Sequence, residues 1–126
     1  MKHKDIPREH WRVFCEQFSR QHRGWLTTLA VVERQSGPSA AARRALTTRL
    51  LAKRAAFSAI AGEVGGVEDE LAIEAGTGAQ RVRHLIARPT RMRLEQNDDG
   101  ADAELRIQTA DGATTIVSFR KEIAAG

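Results

Sequence analysis

The chain has 126 residues, 41% apolar and 29% charged, which suits a soluble globular protein able to bury roughly two-thirds of its unfolded surface in one core. Aromatic residues make up only 5%, with no Tyr, so that core must be largely aliphatic. No apolar run approaches the roughly 20 residues that span a bilayer, and the single Cys15 excludes an internal disulfide framework, so a cytoplasmic chain with no membrane association is expected.

The start, Met1-Lys2-His3-Lys4-Asp5, is basic but leads into a charged helix, so it does not read as a signal peptide. Residues 7–23 are predicted to be that helix. Pro7 suits its first turn, where a missing N–H needs no partner. Trp11, Phe14, Cys15, Phe18 and His22 recur at steps of three and four and form one apolar face, while Arg8, Arg12, Glu16 and Arg20 line another. Gly24 stands where a helix takes a left-handed stop, and Arg20, His22 and Arg23 complement the dipole at that end.

Trp25 to Glu33 is rich in Leu, Thr and Val and predicts a strand. Both its faces are partly apolar, which places it near the centre of a sheet or under the helix. Ser36-Gly37-Pro38-Ser39 breaks it. Over 39–54, Ala42, Leu46 and Leu50 recur every four residues among Arg43, Arg44, Arg49, Lys53 and Arg54. A second helix capped by Ser39 and a basic loop are the two alternatives for this stretch.

Phe57 to Glu63, Gly65-Gly66 and Glu68 to Ala75 predict a hairpin. Gln80 to Ile86 alternates, with Val82, His84 and Ile86 on one side and Arg81, Arg83 and Leu85 on the other. Arg88-Pro89 turns the chain, and Met92 and Leu94 then alternate with Arg91, Arg93 and Glu95. A two-residue Asp99-Gly100 turn sets Leu94 opposite Leu105, Met92 opposite Ile107, Arg93 opposite Arg106 and Glu95 opposite Glu104. At Asp111-Gly112, only a three-residue bulged loop with Gly112 left-handed brings Val117 beside Leu105, and the burial of those side chains selects it. The expected fold is therefore α+β in a single domain, 1–126. An N-terminal amphipathic helix packs on a curved antiparallel meander sheet or partial barrel of about seven strands.

Several familiar chemistries lack their residues. Cys15 and the histidines show no paired spacing of a zinc site. Asn97 to Asp102 lacks the alternating ligands and terminal Glu of a calcium loop, and Gly76-Thr77-Gly78 lacks the helix that would aim N–H groups at phosphate. No metal and no cofactor is expected, and no nucleophile–base pair stands out. The arginines are the main functional signal: Arg81, Arg83, Arg88, Arg91 and Arg93 cluster on two strands and their turn, and the 43–54 stretch adds five basic residues. Residues 1–63 hold 12 Lys and Arg against 5 Asp and Glu, and residues 64–126 hold 8 against 11, so the basic surplus lies in the front half.

Trp11-x-x-Phe14, then Phe18-Ser19-Arg20-Gln21-His22-Arg23-Gly24-Trp25, then His84-Leu85-Ile86 with Pro89, and Asp111-Gly112 with Phe119-Arg120, resemble a family of small bacterial proteins of unknown function. The resemblance spans nearly the whole chain outside 34–56. It implies a bacterial, cytoplasmic, single-domain protein and carries no activity, substrate or cofactor.

The leading functional expectation is a non-enzymatic binding or interaction module. Its basic surface would meet an acidic partner, nucleic acid or protein, through Arg23, Arg81, Arg83, Arg91 and Arg93. One alternative is a small-molecule site or enzyme with a pocket around His22, His84 and Trp25. Another is a self-associating structural protein, such as a homodimer.

Overall fold

The computed structural model of the protein describes residues 2–34, 46–63, 69–98 and 102–123. Pro7, at φ −59°, leads into a 3-10 turn at Arg8–His10 and then the helix α1, Trp11–His22. The helical stripe forms as its spacing predicts: Trp11, Cys15, Phe18 and His22 are buried, Phe14 is half-buried, and Arg12, Glu16 and Arg20 face solvent. The stop is also as predicted, with Gly24 at φ 88°. The indole N–H of Trp11 donates to the Ile6 carbonyl at 2.8 Å, which fixes the first turn to the segment before it.

Among the described residues there are eight strands in one open sheet: β1 Lys2–Asp5, β2 Trp25–Arg34, β3 Leu46–Glu63, β4 Glu70–Ala75, β5 Val82–Ala87, β6 Pro89–Gln96, β7 Asp102–Thr109 and β8 Thr114–Ile123. Their order is β1-β6-β7-β8-β2-β3-β4-β5, with every pairing antiparallel. The α+β class holds, but the count of about seven strands is corrected to eight. The added strand is β1, which pairs with β6 from Lys2 to Asp5. Its side chains are all exposed, so no apolar alternation marked it.

The second helix over 39–54 is also corrected. Residues 46–54 belong to β3, an 18-residue strand, and residues 39–45 lie outside the described residues. The four-residue recurrence of Ala42, Leu46 and Leu50 imitated a helix, yet pairing with β2 took precedence over it, as tertiary context does for weak propensity. The turns at Gly65-Gly66 and Asp99-Gly100 likewise lie outside the described residues.

Elsewhere the predicted registers form. Leu94 faces Leu105, Met92 faces Ile107, Arg93 faces Arg106 and Glu95 faces Glu104. Leu105 faces Val117, and Gly112 sits at φ 91° in a loop closed by Thr109 N–H donating to the Ala113 carbonyl at 3.0 Å. Met92, Leu105, Ile107 and Val117 are almost wholly inaccessible, so burial does select this register.

Two breaks in regularity shape the sheet. At the first, β5 passes into β6 through Arg88 alone, at φ 52°. One residue cannot close a hairpin, so β5 and β6 do not pair and the chain turns a corner. The Arg88 N–H donates to the Asp69 carbonyl at 3.0 Å, and its own carbonyl accepts from Ala110 at 3.1 Å. The meander is thus two runs, β2 to β5 and β6 to β8, joined by β8 against β2. The sheet curls enough that His84 on β5 bonds Thr115 on β8 across the interior at 3.2 Å.

The second break lies within β3. Its first half pairs with β2 as far as Leu26 opposite Ala56, and its second half pairs with β4 from Phe57 opposite Ala75. Beyond Ala56 the two strands part and α1 fills the gap. Gly24 N–H donates to the Phe57 carbonyl at 2.8 Å. The Ser19 hydroxyl donates to the Ile60 carbonyl at 3.1 Å and accepts from the Ile60 N–H at 2.9 Å. One side chain therefore supplies Ile60 with the donor and the acceptor that a neighbouring strand would bring. Buried backbone groups need such partners, so Ser19 caps the edge of β3 that β2 has left while β4 pairs with its other edge.

Candidate functional site

The arginines of β5 and β6 are gathered by carboxylates. Arg81 Nη2 lies 2.8 Å from Glu74 Oε2, and Arg83 Nε lies 3.4 Å from Glu74 Oε1. On β6, Arg91 grips Asp5 with both Nε and Nη2, at 3.0 and 3.1 Å, and Arg93 Nε adds a contact at 3.4 Å. Hydrogen bonds from Arg91 hold the Asp5 carboxyl below its ordinary range. Each knot sets two guanidinium groups against one carboxylate. Asp5 belongs to β1, the strand that alternation did not reveal. An open hollow of about 510 Å³ on the outer face of β3, β4 and β5 is lined by alanines with Glu70, Glu74 and Arg83, so it carries both signs of charge.

A different arrangement lies at the bend of β3. The pairing of β2 with β3 shifts register between Thr27 and Leu29 and again between Leu29 and Ala30, the mark of bulges. Arg54 follows at φ 52°, in the left-handed region that non-glycine residues enter at a cost. Beside it opens a cleft of about 590 Å³, floored by Leu26, Thr28, Ser118 and Phe119 and bordered by the exposed Lys53 and Arg54. Thr27 Oγ1 donates to the Ser118 carbonyl at 2.9 Å and so ties β2 to β8 beneath it. Among the described side chains, no carboxylate pairs with Lys53 or Arg54.

Arg23 does not line this cleft. Its neighbour Gly24 bonds Phe57, three residues beyond Arg54, and Arg23 itself is exposed. The structure thus divides the five arginines expected to act together. Arg23 lies at the end of α1, outside both knots, while Arg81 and Arg83 close on Glu74, and Arg91 and Arg93 close on Asp5.

His22 and Trp25 meet, with ring centroids 4.7 Å apart, and Phe18 and Phe119 stand 4.1 and 4.9 Å from the same imidazole. His22 Nδ1–H donates to the Phe18 carbonyl at 2.8 Å, and the residue is 2% exposed. His84 is held elsewhere. Its partner Thr115 precedes Phe119 by four residues on β8, a separation of roughly 13 Å along an extended strand. Burial, followed by the charge of Arg49, lowers the His84 pKa and favours the neutral ring. Cys15, on the inner side of α1, is buried, and burial pushes its thiol up to about 12, so it holds little thiolate. Among the described residues, no three of His, Cys, Asp and Glu group to hold a metal ion, and no helix is long and apolar enough to cross a membrane.

Lys53 and Arg54 were visible in the sequence only as two of the five basic residues of the 43–54 stretch. The missing signal was the bulge, because period and composition do not record a change of partner within one strand. No curated protein and no solved structure matches the chain. A family model does: it aligns over residues 2–126, and the chain belongs to DUF5335, a family of unknown function.

Proposed function

We propose that the chain is a non-enzymatic binding module that takes an acidic partner, nucleic acid or protein, at the cleft beside the β3 bend. The observation that carries this reading is the adjacent pair Lys53 and Arg54, exposed on a 590 Å³ cleft with no carboxylate against either among the described residues. A guanidinium offers a planar fork to phosphate or carboxylate, and an ammonium adds a compact charge beside it. The hydroxyls of Thr28 and Ser118 supply further donors on the cleft floor. Arg54 occupies its costly backbone conformation at this cleft, and strain of this kind gathers at binding sites.

The test is retention on heparin over a salt gradient, with the absorbance ratio at 260 and 280 nm of the purified protein as a check for carried nucleic acid. Lys53→Ala with Arg54→Ala should elute at clearly lower salt than the unchanged protein. Arg81→Ala with Arg83→Ala should shift elution much less. Equal elution of the first variant and the unchanged protein would overturn the assignment. Binding to a polyanion is salt dependent in proportion to the cations engaged, so the first variant should also show the shallower salt slope.

A further inference from the structure

On the outer face of the sheet, β6 and β7 present Arg91, Arg93, Glu95, Glu104, Arg106 and Gln108, as an exposed antiparallel face usually does. The same face on β8, β2 and β3 differs. Thr27, Leu29 and Val31 point inward and are buried, so Leu26, Thr28, Ala30 and Val32 point outward. Ala30 faces Ile116 on one side and Leu50 on the other, an apolar row across three strands. Leu50 is 54% exposed, which marks it among the few large apolar side chains left in water. The row continues along β2 through Val32 at one end and toward Leu26 at the other, where Lys53 and Arg54 border the cleft.

We infer that the acidic partner is a protein segment, an amphipathic helix that lays its apolar side on Ile116, Ala30 and Leu50 and sets carboxylates against Lys53 and Arg54. This rests on the reading of the cleft above and narrows it to one class of partner. Three strands present a face roughly 10 Å wide, and alternate residues from Leu26 to Val32 extend it roughly 20 Å. Those are the width of one helix and the length of three to four turns.

Charge argues against two copies meeting through this same face. A second copy would then have to bring a carboxylate to Lys53 and Arg54, yet Glu95 and Glu104, the carboxylates that β6 and β7 present here, are both engaged by Arg106. Aromatic content decides against single-stranded nucleic acid. Single strands stack their bases on exposed aromatic rings, whereas this row is aliphatic and Phe119 in the adjoining cleft is only 9% exposed.

The test uses the full chain and three probes followed by fluorescence anisotropy. They are a labelled 14-residue helical peptide with Leu on one side and Glu on the other, the same peptide with Lys in place of Glu, and a 20-mer of deoxythymidine. The acidic peptide should bind saturably, and the Lys peptide should bind at least tenfold more weakly. Leu50→Gln should weaken the acidic peptide about tenfold while leaving heparin retention unchanged. Val32→Thr, close to isosteric, should weaken it about threefold, and thermal melts of both variants should match the parent.

No saturable binding of the acidic peptide, or binding indifferent to both substitutions, overturns the inference. So does a concentration-dependent dimer that Leu50→Gln dissolves, since a second copy would then be the occupant. Oligonucleotide binding that needs Lys53 and Arg54 but ignores Leu50 overturns the inference while leaving the basic cleft in place. Heparin retention indifferent to Lys53→Ala with Arg54→Ala removes the cleft as well.

Discussion

Two basic regions of this molecule look alike in sequence and differ in structure. One is the arginine alternation of β5 and β6, where Glu74 and Asp5 each take two guanidinium groups. The other is the pair Lys53 and Arg54 at the bend of β3, which no described carboxylate meets and which borders a cleft. Density of positive charge is therefore a poor guide to a binding surface. What distinguishes the two is compensation: a carboxylate on the neighbouring strand, 7 or 86 residues away in the chain, decides whether an arginine is available to a partner.

The sharpest way to break the comparison is to remove what holds the bend. Ser19→Ala leaves the Ile60 N–H and carbonyl without their partner in a buried place. At 1–3 kcal/mol for each stranded group, the loss should be about 2–6 kcal/mol, a drop in midpoint of about 10–20 °C. Thermal unfolding by circular dichroism measures it. At a temperature where the variant is still folded, heparin retention should fall too, because β3 no longer holds Lys53 and Arg54 on the cleft. Unaltered retention would mean that the bend does not position the two cations.

Next in size is the direct exchange of charges. Lys53→Ala with Arg54→Ala should weaken binding of an acidic partner on the order of tenfold, about 1.4 kcal/mol. The matching change of Arg81 and Arg83 should alter it less than about twofold, the scale of exposed ion pairs. Titration of one acidic probe against both variants compares the regions directly. Similar losses from the two would erase the distinction.

Much of the frame was legible before the structure. The registers of β6 with β7 and of β7 with β8 followed from turn length and from which side chains must be buried, and both are rules of period two. The helix stripe and the Gly24 stop were equally local. β1 was not legible, because a short edge strand with four exposed side chains has no alternation to show. The first half of β3 was misread for a related reason. Its outward face carries Leu50 and its inner face Leu51, so neither a strand nor a helix pattern stands clear. The site was hidden by the same fact, since Lys53 and Arg54 stand beside a bulge and no described carboxylate side chain meets them. Both are tertiary facts.

If compensation is the deciding variable, the silent region should be convertible. Asp5→Asn frees Arg91 and Arg93, and Glu74→Gln frees Arg81 and Arg83, with no new cation added. Each change should raise affinity for heparin about two- to fivefold, within about 1 kcal/mol. A shift to higher eluting salt in either variant supports the comparison. No shift in both would show that shape, rather than free charge, separates the two regions.

The smallest effect tests the backbone. Arg54 and Arg88 share φ 52°, one at the cleft and one at the corner between β5 and β6. A left-handed non-glycine residue costs about 1–2 kcal/mol, and glycine gives back part of that gain through its freer unfolded chain. Arg54→Gly and Arg88→Gly should therefore each stabilise the fold by about 0.5 kcal/mol, read from denaturant midpoints at unchanged slope. Only Arg54→Gly should also weaken binding, because it removes a cation from the cleft. A binding loss from Arg88→Gly of the same size would place the corner in the binding surface. Stabilisation at Arg88 with none at Arg54 would mean that the strand pairing around the bend already relieves the strain, and the left-handed arginine would then mark only the geometry of the bulge.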